Sequence, residues 1–346
     1  MPSKEARTLI VHAGLPKTGT TYLQRSFHAR APWLAQHGVL YPAPAAGQWA
    51  HHEVAARLAS GGEIAGDGEA AAVAAAIAGD SPRVLLSSEA FSALPPQGVA
   101  ALAAAAGGRT VRWVLFLRRR SDIAYSRWQE TVKHGNAETF MEFVAAQLCG
   151  EGDVLRPADC LIAAAAALGV AALQVAIYDE VARNGEDLFA FFCRAHLGLC
   201  YDGPAAPLEN AGHSPSLTEA IRALNAAYCI EQGVAAADLA FATAAEHALQ
   251  VEPWGQQFLA EVAQLYDAHG RPLQVEQLDD YAQVRDAQIL HYCRSQIVNL
   301  PADGSLFGPA RPRLRRCLPP DRLYRAIPTG VIAQVTQRVA AAAASS

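Results

Sequence analysis

The chain has 346 residues, of which 51% are hydrophobic and 18% are charged, so its length and composition allow a sizeable buried core. Its net charge of −5 argues against a dedicated nucleic-acid binder, because such proteins usually carry a basic surface. No apolar run approaches the roughly 20 residues that span a bilayer, and the N-terminal residues lack the pattern of a secretory signal, so a cytoplasmic protein is expected. The 7 cysteines are scattered and form no CxxC pair, which is typical of neither a disulfide framework nor a zinc site.

Short apolar runs alternate with helical patterns in the first part of the chain. Strands are predicted at residues 8–14, 83–89, 111–119 and 173–180, because these runs are nearly continuous, as in strands buried on both faces. Helical patterns cover residues 19–36, 50–60, 69–79, 97–106, 121–134, 139–148 and 157–168. This alternation predicts a parallel sheet with helices on both faces.

The later part of the chain is predicted to be helical. From about residue 212 no strand is expected, and Ser214 with Pro215 is a good N-cap and first helical position. Helical patterns follow at residues 235–249, 253–268 and 279–297, and a Pro- and Arg-rich segment at 309–322 precedes a final helix. We therefore expect an α/β core over residues 1–210 and a helical region over 211–346, which can still pack on the core as part of one domain.

The stretch HAGLPKTGTTYLQ, residues 12–24, connects the first predicted strand to the first predicted helix. A loop at this place presents backbone N–H groups at the positive end of a helix, which favours an anion. Gly14 and Gly19 allow close approach of the backbone, Lys17 adds a charge, and hydroxyl groups come from Thr18, Thr20 and Thr21. An ATP-binding P-loop has its lysine directly after the second glycine, whereas Lys17 precedes Gly19 by two residues. This spacing disfavours magnesium-dependent phosphoryl transfer; a plain glycine turn with a solvated lysine is the simpler alternative.

The run PKTGTT after a strand resembles the phosphosulfate-binding loop of the sulfotransferases, a family of P-loop-fold enzymes that use 3′-phosphoadenosine 5′-phosphosulfate (PAPS). The resemblance covers roughly residues 8–230. It implies a P-loop NTPase-like three-layer α/β fold with a parallel sheet, and no metal. It also implies cofactor contacts from the loop residues Pro16, Lys17, Thr18, Gly19, Thr20 and Thr21.

A second motif that resembles this family lies in VLFLRRRSDIAYSRW, residues 114–128. The family has an arginine at the end of a strand and a serine eight residues later, which together bind the 3′-phosphate of PAPS; Arg118 and Ser126 have this spacing. Ligands collect at the carboxyl ends of strands in open α/β sheets, and a guanidinium matches a phosphate bidentately. The alternative is that the three successive arginines form a structural salt-bridge cluster.

The general base of a sulfotransferase is a His or a Glu, and two candidates stand out. Glu89 ends the second predicted strand, where some glycan-modifying members of the family carry a catalytic Glu, and it is the favoured base; an ion pair with Lys17 or the arginines is its alternative role. His52, with its neighbour His51, opens a predicted helix and is the second candidate. Lys17 is expected to stabilise charge in the transition state.

The predicted function is transfer of a sulfuryl group from PAPS to an acceptor, with a glycan or small metabolite favoured. Residues 36–52 and the C-terminal helices are expected to form the acceptor wall, and the arginines at 311, 313, 315 and 316 are candidates to receive an anionic acceptor. Two alternatives remain: a P-loop small-molecule kinase that uses ATP and magnesium, and an inactive nucleotide-binding homologue. The sequence does not indicate an oligomeric state.

Overall fold

A computed structural model describes residues 7–149, 157–205, 213–272, 276–307, 316–318 and 320–345. The strands are β1 Thr8–Ala13, β2 Val39–Leu40, β3 Arg83–Ser88, β4 Thr110–Leu117, β5 Leu173–Ile177, β6 Arg271–Pro272 and β7 Arg316–Cys317. The helices are α1 Thr20–Ala29, α2 Ala31–Gln36, α3 His52–Ala59, α4 Gly68–Ala78, α5 Pro96–Ala105, α6 Arg120–Lys133, α7 Phe140–Cys149, α8 Pro157–Leu168, α9 Tyr178–Arg183, α10 Leu188–Phe192, α11 Pro215–Gln232, α12 Leu239–Val251, α13 Pro253–His269, α14 Glu276–Cys293, α15 Pro320–Arg325 and α16 Val331–Ser345.

The chain divides into two compact units. The first contains Met1–Arg119, Arg156–Glu209 and Tyr281–Ala310, and the second contains Arg120–Leu155, Asn210–Asp280 and Arg311–Ser346. Each unit combines separate segments of the chain. The predicted division into a core over residues 1–210 and a helical region over 211–346 stays a prediction.

The first unit is built on a five-stranded sheet of order β2-β3-β1-β4-β5 in which all paired strands are parallel. Strand β1 lies at the centre, and all six of its residues are buried. Its alternate side chains enter two separate cores, with Leu9 and Val11 on one face and Ile10 on the other. The predicted three-layer α/β fold with a parallel sheet is therefore confirmed. The four predicted main strands are present, but the one predicted at residues 173–180 ends at Ile177, because Tyr178–Arg183 form α9.

Register brings the ends of the central strands together. In the β1–β3 pair His12 lies opposite Ser87 and Ala13 lies opposite Ser88, so the loop that leaves β1 and the residues that follow β3 emerge at the same edge of the sheet. This edge is the carboxyl end of the strands, where ligands bind in sheets of this type.

The predicted helix over residues 19–36 is wrong in one respect, because the chain forms two helices there. Helix α1 ends at Ala29 and α2 begins at Ala31, with Arg30 between them. Pro32 lies in the first turn of α2, the part of a helix where a residue without a backbone N–H is tolerated.

The described part of the second unit is mainly helical, as predicted for the C-terminal region. The Ser214 hydroxyl accepts the Leu217 amide at 3.2 Å and caps α11, with Pro215 in the first turn. The expectation of no strand after residue 212 was wrong, because β6 and β7 form a short antiparallel pair there. No described helix is both long enough and apolar enough to cross a membrane.

Candidate active site at the ends of β1, β3 and β4

The loop between β1 and α1 has an unusual backbone at two positions. Lys17 has φ 64° and Gly19 has φ 77°, so both lie in the left-handed region. Lys17 is the one non-glycine residue with a positive φ in the described part of the chain. This conformation costs a residue with a Cβ roughly 1–2 kcal/mol. Such strain persists where the surrounding contacts impose it, and it concentrates at functional sites.

Close contacts hold the loop in this shape. The buried Thr18 hydroxyl donates to the Leu15 carbonyl oxygen at 2.7 Å. A Cβ on Gly14 would lie 1.9 Å from Cγ2 of Thr20, so the backbone at residue 14 can approach Thr20 only as glycine. Both glycines of the motif allow close approach, since a Cβ on Gly19 would lie 2.4 Å from Cδ2 of Leu188, and Gly19 also supplies the left-handed turn.

The first turn of α1 follows the left-handed loop directly. Its N-cap is Gly19, which has no side chain to accept a hydrogen bond from the turn. The N–H groups of a first helical turn have no partner within the helix and carry the positive end of the dipole. Of the remaining predicted loop contacts, Pro16 and Lys17 are half-buried and Thr21 is exposed.

Arg118, which follows β4, is connected to this loop. Its Nη1 donates to the carbonyl oxygen of Lys17 at 2.6 Å, and its Nε lies 3.9 Å from Oδ1 of Asp179. The other carboxylate oxygen of Asp179 accepts the backbone amide of Arg119 at 2.9 Å. The guanidinium also lies 5.2 Å from the ring centroid of Tyr178, within the range of a cation–π contact. Arg118 therefore connects the loop to Tyr178 and Asp179 on α9, the helix that follows β5.

The predicted pairing of Arg118 with Ser126 stays a prediction. Arg118 belongs to the first unit, whereas Ser126 lies half-buried on α6 in the second. Arg119 has a structural role, since its Nη2 donates to the carbonyl oxygen of Phe307 at 2.9 Å. Arg311, Arg313 and Arg315 lie outside the described residues, and so does the side chain of Arg316.

His12 and His51 are structural members of the site. The Nδ1 of His12 is 2.8 Å from the Ser87 hydroxyl, while Nδ1 of His51 accepts the Ser87 amide at 3.1 Å. The Nε2 of His51 therefore carries the hydrogen and donates to the Pro42 carbonyl oxygen at 3.1 Å. Both rings are buried, and burial is the main cause that lowers the pKa of His12 to about 3 and that of His51 to about 4. These histidines are held neutral and connect the strand ends to the segment before α3.

The two candidate bases lie next to each other at the end of β3. His52 is exposed, and its Nδ1 is 2.8 Å from the hydroxyl of Ser88. That hydroxyl also accepts the Ala90 amide at 3.2 Å. Glu89, the next residue after Ser88, is half-buried and accepts a hydrogen bond from the Thr20 hydroxyl through Oε1. Glu89 thus contacts Thr20 at the end of the loop, whereas His52 contacts Ser88, the residue before Glu89.

Three residues that support the site were missed in the sequence. Ser87 and Ser88 orient the histidines, and the alternation of a buried strand gives no sign of this polar role. Glu69 on α4 is 2% exposed, and its carboxylate accepts the amides of Ala45 at 3.0 Å and Val54 at 2.9 Å. It therefore caps the first turn of α3 from a different helix, which no local capping pattern would reveal.

Comparisons with known proteins give little further information. No protein-family model matches the chain, and no curated protein matches it. The crystal structure of a sulfotransferase from Alicyclobacillus acidocaldarius matches 64% of this chain and 94% of its own, with 18% sequence identity and a TM-score of 0.40. A similarity of this size assigns neither a family nor a function to the chain.

Proposed function

We propose that the chain is a PAPS-dependent sulfotransferase that acts on a hydroxyl or amine of a glycan or small metabolite. The observation that carries this proposal is the loop from Gly14 to Gly19. Its strained Lys17 and the start of α1 lie beside the Glu89 carboxylate, and His52 contacts the neighbouring Ser88. Lysine, hydroxyl and backbone N–H donors are the groups that suit a phosphosulfate.

PAPS supplies, when bound, an activated sulfuryl group for in-line displacement by the acceptor oxygen or nitrogen. Lys17 and the N–H groups at the start of α1 stabilise the negative charge that grows during this displacement. One well-placed donor of this kind contributes about 10²–10³ in rate. The left-handed backbone of Lys17 serves this role by fixing where its side chain leaves the loop.

Arg118 binds the cofactor and holds the loop. Its Nη1 is engaged by the Lys17 carbonyl oxygen, and its charge contributes to the affinity for a phosphate. Asp179 keeps the guanidinium in place from the opposite side. This arrangement makes Arg118 a residue whose loss weakens binding more than it slows turnover.

Glu89 is the favoured base, and His52 is the second candidate. A base takes the acceptor's proton and contributes about 10²–10⁴ in rate. Glu89 adjoins the loop directly through Thr20, whereas His52 faces solvent and is oriented by Ser88. Both therefore lie at the strand end where an acceptor would meet the loop.

The segment 41–51 is proposed as one wall of the acceptor site. It carries Trp49, which is 42% exposed and has the Arg25 guanidinium 4.2 Å from its ring centroid. Glu69 and His51 hold this segment to the core through its backbone. An exposed aromatic ring with an arginine suits a sugar or another polar acceptor with an apolar face.

The proposal is tested with Lys17→Met and radiolabelled PAPS. Formation of labelled product on a panel of sugar and metabolite acceptors should fall at least about a hundredfold in the variant, the effect expected for one transition-state donor. The chain contains only three lysines, at positions 4, 17 and 133, so Lys133→Met on α6 is a matched control that should retain activity. Equal activity of Lys17→Met and wild type contradicts the assigned role of Lys17.

A further inference from the structure

The hydrogen bond between Thr20 and Glu89 joins the loop to the favoured base. Thr20 is the first residue of α1, directly after the left-handed Gly19, and is 2% exposed. Its hydroxyl donates to Oε1 of Glu89. The Glu89 carboxylate therefore accepts the hydrogen bond of the hydroxyl that lies where the loop ends and α1 begins.

The packing of Thr20 fixes the direction of this hydroxyl. The methyl group Cγ2 lies against Gly14 so closely that a Cβ at residue 14 would be 1.9 Å away. A threonine side chain has few χ1 rotamers, and moving the methyl group elsewhere would break this contact. The hydroxyl thus stays at the strand end, where either Glu89 or a ligand in the loop can accept its hydrogen.

A hydroxyl has one hydrogen to donate, so two acceptors compete for it. An anion at the start of α1 is such a competitor, because it is drawn there by the same N–H groups and dipole.

We propose that the Thr20–Glu89 hydrogen bond is a latch that is broken when an anionic ligand binds in the loop. In the closed state the Thr20 hydroxyl donates its hydrogen bond to Glu89. When the ligand accepts this hydrogen bond instead, the carboxylate is released and can accept a proton from the acceptor. This inference rests on the proposed function, since it assigns the ligand to the loop and the proton to Glu89. Glu89 is thereby freed as a base only after the nucleotide has bound.

The latch is tested by the affinity for adenosine 3′,5′-bisphosphate, measured by calorimetry on wild type, Glu89→Gln, Thr20→Val and the double variant. Glu89→Gln should bind the bisphosphate about tenfold more tightly, which corresponds to about 1.4 kcal/mol, because a neutral amide oxygen competes less strongly than a carboxylate for the Thr20 hydrogen bond. In the Thr20→Val background, where no hydroxyl is shared, the same change at Glu89 should alter the affinity less than twofold. Valine keeps the methyl group that packs on Gly14, and Thr20→Ser, which keeps the hydroxyl, should preserve the tightening.

The outcomes separate the latch from simple repulsion and from the proposed function. If Glu89→Gln raises the affinity for the bisphosphate equally with Thr20 and with Val at position 20, charge repulsion alone is the cause and the latch is overturned. The latch is also overturned if the protein binds the bisphosphate and Glu89→Gln does not raise the affinity. Wild-type protein that fails to bind the bisphosphate overturns both the latch and the proposed function. Glu63→Gln, which removes an exposed charge elsewhere in the first unit, is the control and should leave the affinity unchanged.

Discussion

Mild acid should destabilise this protein strongly, because three histidines are buried in their neutral form. His12, His51 and His196 each have a folded-state pKa lowered mainly by burial, to about 3, about 4 and about 3, from an ordinary value of 6.5. The unfolded chain therefore takes up protons at higher pH than the folded chain does. The stability that these groups contribute is fully present above pH 6.5 and is lost as the pH falls towards the folded-state values.

The magnitude follows from the two sets of pKa values. At pH 5 each unfolded histidine is mostly protonated and each folded one is not, which lowers the free energy of unfolding by about 2 kcal/mol per residue relative to pH 7.5. The value depends little on the folded-state pKa, because pH 5 lies above all three. Together the three residues lower the free energy of unfolding by about 6 kcal/mol. This is comparable to the whole free energy of unfolding of a typical protein, about 5–15 kcal/mol.

The assay is urea unfolding at pH 7.5 and pH 5.0, on wild type and on His12→Gln and His28→Gln. Between these pH values His12→Gln should lose about 2 kcal/mol less than wild type, since it removes one of the three linked protons. His28→Gln, at an exposed position on α1, should lose as much as wild type. Stability that is unchanged between the two pH values, or equal losses in all three proteins, would refute the reasoning.

Two further predictions concern the loop and its brace. Lys17→Gly should be more stable than Lys17→Ala by about 1 kcal/mol, because only glycine avoids the cost of φ 64°. Both variants should lose sulfuryl transfer. Thermal unfolding and an activity assay check the pair, and equal stability of the two variants would contradict the prediction. Arg118→Ala should weaken binding of adenosine 3′,5′-bisphosphate by about 1.5–3 kcal/mol, the size of a hydrogen bond to a charged group. Calorimetry checks this against Arg194→Ala, which removes an exposed arginine paired with Glu186, and an unchanged affinity in Arg118→Ala would contradict the role of Arg118.

The sheet could be predicted from the sequence because its main strands are buried on both faces. A strand such as TLIVHA has no polar alternation, and all of its residues are indeed buried. Strand β2 was missed because two residues, Val39 and Leu40, are too short to show any pattern. The break at Arg30 was missed although Pro32 signals it, since the amphipathic pattern continues across both helices.

The loop around Lys17 connects β1 to α1, as the local order of residues predicted, and its role as a binding site stays a prediction. Long-range contacts were not predictable in this way. His51 and His52 are adjacent in the sequence, yet one is buried against Ser87 and the other is exposed beside Ser88. The contact of Arg118 with the Lys17 carbonyl oxygen depends on the pairing of β1 with β4, which a single sequence does not specify.

The central claim is that the loop around Lys17 binds an adenosine 3′,5′-bisphosphate rather than ATP. A thermal-shift titration with adenosine 3′,5′-bisphosphate, ADP, and ATP with magnesium tests it most directly. A ligand that binds only the folded state adds about 2.7 kcal/mol at 100 times its dissociation constant, which raises the melting temperature measurably. We predict a rise with the 3′,5′-bisphosphate that ADP and ATP do not reproduce; a rise only with ATP and magnesium would contradict the account and favour a kinase, and no rise with any of the three would contradict nucleotide binding at this loop.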